Sequence, residues 1–118
     1  MLNKELIELQ KGCKATCVVI LDEDSKELDS KITISSKSND HELLTNIKEM
    51  INEEQYFIVT GIDELDENSQ EKYYQIVKDR EFYGYKLPDD TIIVLAVKEK
   101  EGLKRIKQEL YQLCVVAF

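Results

Sequence analysis

The stretch Tyr56-Phe57-Ile58-Val59-Thr60-Gly61-Ile62-Asp63-Glu64 decides the fold. Residues 56–62 form an unbroken apolar, β-branched run, and two carboxylates follow at once. A strand with one solvated face alternates apolar and polar residues, whereas a strand covered on both faces reads as a continuous run. The same signature recurs at residues 15–21 (Ala-Thr-Cys-Val-Val-Ile-Leu), at Thr91-Ile-Ile-Val-Leu-Ala-Val97 and at Cys114-Val-Val-Ala-Phe118. Three buried strands and a closing one therefore need layers on both sides.

Helical segments lie between them. Asn39 is a good N-cap with Glu42 three residues on, and Leu43, Leu44, Ile47, Met50 and Ile51 mark one apolar face through residue 52. A second helix starts at Asp66-Glu67-Asn68-Ser69, with Tyr73, Ile76, Val77 and Arg80 on one face. Gly84 through Pro88 breaks the chain, and Leu103, Ile106, Leu110 and Leu113 give a third helical stripe. From residue 38 onward the order is α-β-α-β-α-β, which predicts an α/β three-layer sandwich with a mostly parallel sheet and right-handed crossovers. Upstream, Leu2, Leu6 and Leu9 predict a short helix over 2–11, ending before Gly12. Residues 22–30 are a polar acidic connection, and Lys31-Ile32-Thr33-Ile34-Ser35 alternates like a half-exposed strand. An N-terminal β-hairpin of this strand with 15–21 is the simple local solution, since a parallel arrangement needs a longer crossover.

A chain of 118 residues is expected to fold as a single domain, 1–118. Its net charge of −8 lacks the basic patch that nucleic acid requires. The basic residues of Lys98-Glu99-Lys100 and Lys104-Arg105-Ile106-Lys107 are too few and too near acids to make one. No apolar run approaches the ~20 residues that span a bilayer, and the N-terminus does not read as a secretory signal. The default compartment is the cytoplasm. Cys13, Cys17 and Cys114 are odd in number and read as free thiols, with Cys17 and Cys114 buried. Their spacing does not suit zinc. The lone histidine, His41, falls in a helix's first turn, where exposure or capping is expected.

Phe57-Ile58-Val59-Thr60-Gly61-Ile62-Asp63-Glu64 resembles a Walker B motif, and the run from Leu65 to Val77 resembles the helix that follows it in AAA+ ATPases. Lys78 through Ile93 resembles the connection of MoxR-like and dynein-related members, in which a loop built on G-x-x-L-P-x-x-T leads into the sensor strand. The likeness covers about residues 40–118. It implies a truncated P-loop NTPase-like core in which Asp63 would hold Mg²⁺ through water and Glu64 would polarise the attacking water.

The rest of the machinery is missing from the pattern. No G-x-x-x-x-G-K-[ST] cradle includes any of Gly12, Gly61, Gly84 or Gly102. Gly12-Cys13-Lys14-Ala15-Thr16 precedes a strand instead of following one. After the first strand stands Asp22-Glu23-Asp24, which would repel a triphosphate. Ala96-Val97-Lys98 replaces the polar sensor end, Arg105 lies on the wrong turn for an arginine finger, and the chain stops at Phe118 before the family's lid domain. The expected function is thus a catalytically inactive AAA+-like interaction or regulatory module without a cofactor. It would bind a protein partner such as an AAA+ assembly through exposed Tyr83 and Tyr85; nucleic acid and membrane are not expected as partners. One alternative is a Mg²⁺-dependent phosphoryl-transfer enzyme using Asp22, Asp24, Asp63 and Glu64. Another is an ATPase subunit that borrows a phosphate loop from another chain.

Overall fold

A computed structural model describes residues 2–10, 16–28, 32–49 and 56–118. Its centre is a five-stranded sheet in the spatial order β2-β3-β6-β1-β7. The strands are β1 (Cys17–Leu21), β2 (Thr33–Ser35), β3 (Tyr56–Thr60), β6 (Ile92–Val97) and β7 (Cys114–Val116). Every neighbouring pair runs parallel. A separate antiparallel hairpin pairs β4 (Glu81–Phe82) with β5 (Tyr85–Lys86).

Alternation of side chains sorts the strands into two cores. One holds Cys17, Val19 and Leu21 with Phe57, Val59, Ile93, Leu95 and Val97. It is covered by α2 (Asp40–Glu49), α3 (Glu67–Asp79) and α4 (Gln108–Tyr111), through Leu43, Ile47, Tyr73, Ile76, Val77 and Leu110. The opposite core holds Val18, Ile20, Ile58, Ile92, Val94 and Ala96, covered by Leu2, Leu6 and Ile7 around α1 (Lys4–Glu8) and by Leu28. Both faces of β1, β3 and β6 are dry, which is why those runs carry no polar alternation. The helical layer is therefore thick on one face and thin on the other.

The caps behave as the sequence suggests. Asn39 Oδ1 accepts the Glu42 N–H at 2.9 Å, and Asp66 Oδ1 accepts that of Ser69 at 2.7 Å. Met50 and Ile51, Gly12 and Cys13 lie outside the described residues.

Four expectations need correction. The N-terminal hairpin does not form: β6 and β3 lie between β1 and β2. β1 is buried on both faces and demands neighbours on both sides, whereas β2, with Thr33 and Ser35 exposed, suits an edge. The connection after β1 coils into a 3-10 helix, Asp22–Glu27, and has no Gly or Asn-Gly to turn the chain back. Helix α1 is shorter than 2–11, and Leu9 is 71% exposed; its buried residue is Ile7. The stripe from Leu103 to Leu113 is not one helix. A 3-10 turn (Lys100–Arg105) and α4 flank non-helical backbone at Ile106 and Lys107. The buried Gln70 causes that break. Its Nε2 donates to Leu65 O (2.9 Å) and Arg105 O (2.8 Å), and its Oε1 accepts the Lys107 N–H (2.6 Å). Backbone groups committed to this side chain cannot serve a helix. Lastly, Arg80 does not sit on the helical face of α3 but ends it with φ 54°. Its buried guanidinium donates to Pro88 O and Thr91 O and pins the segment that enters β6.

Candidate functional site

Because all five strands point the same way, Asp22, Ser36, Gly61 and Lys98 follow β1, β2, β3 and β6 on one edge of the sheet. The chain leaves β1 across the face lined by Leu28 and leaves β6 across the face lined by Ile106 and Leu110. Adjacent strands whose connections depart over opposite faces open a crevice at their carboxyl ends, where ligands of open α/β sheets gather. In this sheet the rule points to the carboxyl ends of β1 and β6, which are adjacent.

The walls of this edge are built locally. Gly61 adopts φ 71°, a conformation costly for residues with a Cβ, and turns the chain from β3 into a 3-10 helix, Ile62–Glu64. Ser36 Oγ donates to Gly61 O at 2.8 Å, and Tyr73 Oη donates to Ser36 O at 2.7 Å, so α3 braces the same turn. Burial pushes the Tyr73 phenol up to about 12, and the nearby Asp40 carboxylate adds to this; the group stays a donor at all ordinary pH.

Asp63 turns inward and is buried. Its carboxylate accepts the Lys98 N–H, with oxygens at 3.3 and 3.4 Å. The backbone of Gly102 packs directly on it: a Cβ at position 102 would lie 2.9 Å from Asp63 Cβ and closer still to its carboxylate. Glu64 turns outward to an ion pair with Lys37 at 3.1 Å. The Lys37 ammonium holds the Glu64 carboxyl below its ordinary range, with a smaller contribution from Lys98. The two acids of the Asp-Glu pair thus have different employments, one inside and one at the surface.

Asp22 is exposed and Asp24 is buried within the turn after β1. Among the described residues no group of three or more His, Cys, Asp or Glu side chains is arranged to hold a metal. The structure therefore brings Asp22, Asp24, Asp63 and Glu64 to one edge without converging them on one point. Lys98, at the end of β6, points its N–H at Asp63 while Ala96 and Val97 are buried. Arg105 is exposed at the end of its 3-10 turn and contributes a backbone carbonyl to Gln70. His41 is exposed in the first turn of α2.

Tyr83 lies in the hairpin turn and Tyr85 follows it. Tyr83 (φ 51°) and Gly84 (φ 82°) are the two central residues, the left-handed pair of a type I′ connection. Tyr83 is 67% exposed; its hydroxyl donates to Asp40 Oδ2 at 3.1 Å, and Lys48 Nζ sits 4.8 Å from the Tyr85 ring. The pair leans on α2. Sequence reasoning missed Ser36, Lys37 and Lys72, which with Ser38, Leu65, Asn68 and Ser69 line a cleft of about 410 Å³ between the loop after β2 and the start of α3. Only the juxtaposition of β2 with α3 creates it, and no local pattern signals that. Lys72 is itself tied to Asp40 at 3.1 Å.

Fold and site together define an α/β protein with a parallel central sheet whose carboxyl edge carries Asp22, Asp24, Asp63 and Glu64, of which Asp24 and Asp63 are buried. Compared with protein-family models, curated proteins and solved structures, the chain matches none of them.

Proposed function

We propose that this protein is a catalytically inactive AAA+-like module that works through contacts with a protein partner. The observation that carries this reading is the fate of Asp63. A carboxylate at the end of a central strand could serve a hydrated Mg²⁺, but this one is buried, accepts a backbone N–H and is lidded by Gly102.

The turn after β1 supports the same conclusion. A phosphate cradle presents several backbone N–H groups from a Gly-rich loop to the anion. Residues 22–32 contain no glycine, and Asp22, Glu23 and Asp24 open the segment. Negative side chains at this edge raise the energy of a nearby triphosphate. What remains is a parallel sheet in a chain of net charge −8 that exposes Tyr83 and Tyr85, features suited to a partner with a basic patch and apolar pockets.

Thermal melting with Mg²⁺, ATP, ADP and Mg²⁺-ATP tests this. A ligand that binds only the folded state raises the midpoint by mass action, at 100 times its dissociation constant by about 2.7 kcal/mol of stability. The midpoint is expected to stay put in all four. A rise with Mg²⁺-ATP that Asp63→Asn abolishes would overturn the reading in favour of ATPase chemistry. A rise with Mg²⁺ alone would favour a metal-dependent enzyme.

A further inference from the structure

Cys17 and Cys114 occupy paired positions on adjacent parallel strands β1 and β7, with Cα atoms in register. Both side chains belong to the face packed by α3 and α4, and their sulfurs lie 2.6 Å apart. Neighbouring strands run about 4.8 Å apart, inside the 4.4–6.8 Å Cα separation that a disulfide spans. Both residues are free thiols. They differ in access: Cys17 is fully buried, whereas Cys114 is half-buried on the strand that ends the sheet.

We propose that Cys17 and Cys114 form an oxidation site, at which a small peroxide converts the two thiols into an intrachain disulfide that fastens β7 to β1. Cys114 is the entry point. Its sulfur attacks one oxygen of hydrogen peroxide, the O–O bond breaks, and the departing hydroxide takes the thiol proton to become water. This leaves Cys114 as a sulfenic acid. Cys17 then attacks the Cys114 sulfur, the S–O bond breaks, and the hydroxyl leaves with the Cys17 proton as a second water. Two thiols and one peroxide give one disulfide and two waters. Burial raises the Cys17 thiol well above its ordinary range, with the neighbouring Cys114 adding to the effect, so Cys17 is a poor first nucleophile and reacts only across the strand pair. The residues are 97 apart in sequence, so the bond would close almost the whole chain into a loop and constrain the unfolded state strongly.

The test treats the full chain with hydrogen peroxide and follows it by intact mass, by thiol alkylation after denaturation and by peptide mapping. Cys13, the third cysteine, is replaced in a parallel Cys13→Ser sample to remove a competing partner. The expected result is loss of two hydrogens, a crosslinked pair of peptides carrying Cys17 and Cys114, and a melting midpoint higher by about 10 °C that dithiothreitol reverses. In Cys114→Ser, Cys17 should stay a thiol under the same treatment. Mapping of the wild-type chain gives the linkage even where a variant folds poorly. Sulfinic acid at Cys114 beside an unreacted Cys17, a bond to Cys13, or a disulfide between chains would overturn the proposal.

Discussion

Asp63 and Gly102 make one contact that carries two roles. The carboxylate caps the end of β6 by accepting the Lys98 N–H, and the missing side chain at Gly102 lets the following 3-10 turn lie flat on it. Gly102→Ala should therefore cost about 1–3 kcal/mol in urea unfolding, because the new methyl meets Asp63 at both carboxylate and Cβ and one segment must shift. Asp63→Ala alone should also destabilise by stranding the Lys98 N–H. The double variant should lose less than the sum, since removing the carboxylate makes room for the methyl. Strict additivity would show that the two residues do not press on one another. Asp63 was legible in the sequence as a carboxylate closing an apolar strand. Its inward turn was not, because the partner N–H and the glycine come from residues 35 and 39 positions later in the chain.

At the scale of the element, the start of α3 makes a pH prediction. The Ser69 N–H bonded to Asp66 holds the Asp66 carboxyl below its ordinary range, with further help from the Ser69 side chain and the Asn68 N–H. A carboxylate depressed in the folded state stabilises above its unfolded pKa, about 3.9. That contribution is lost as pH falls through the lower folded value. Asp66→Asn keeps the cap acceptor but not the titration. Its melting midpoint should match the wild type within about 2 °C near neutrality. Below about pH 4 it should fall less steeply than the wild type. Parallel acid limbs would sink this account. The other end of α3 was harder to read. Arg80 fits the apolar spacing of the stripe but leaves the helix in a left-handed conformation, since its guanidinium is needed at Pro88 O and Thr91 O. The stripe from Leu103 to Leu113 misled for a related reason: periodicity reports which residues face the core, and Ile106 and Leu110 do, whether or not the backbone between them is helical.

For the molecule as a whole, the sheet is the shared wall of two cores, so damage to a central strand should be felt on both sides. Leu95 is fully buried in β6, in the core covered by α2, α3 and α4. Leu95→Ala should cost about 3–4 kcal/mol, a large part of the 5–15 kcal/mol typical of natural domains. Its unfolding should remain a single transition by tyrosine fluorescence and far-ultraviolet circular dichroism; separate midpoints would show that the layers melt independently. The amino-acid sequence by itself determined the α/β class, the strands β1, β3 and β6, the caps of α2 and α3, and the acidity of the turn after β1. These depend on periodicity, side-chain chemistry and capping within a few residues. Tertiary structure alone decided the place of β2 at the far edge, the inward turn of Asp63, the break held by Gln70, and the meeting of Cys17 with Cys114. Each of these pairs groups far apart along the chain, and a local pattern cannot specify which distant backbone or sulfur a side chain will find.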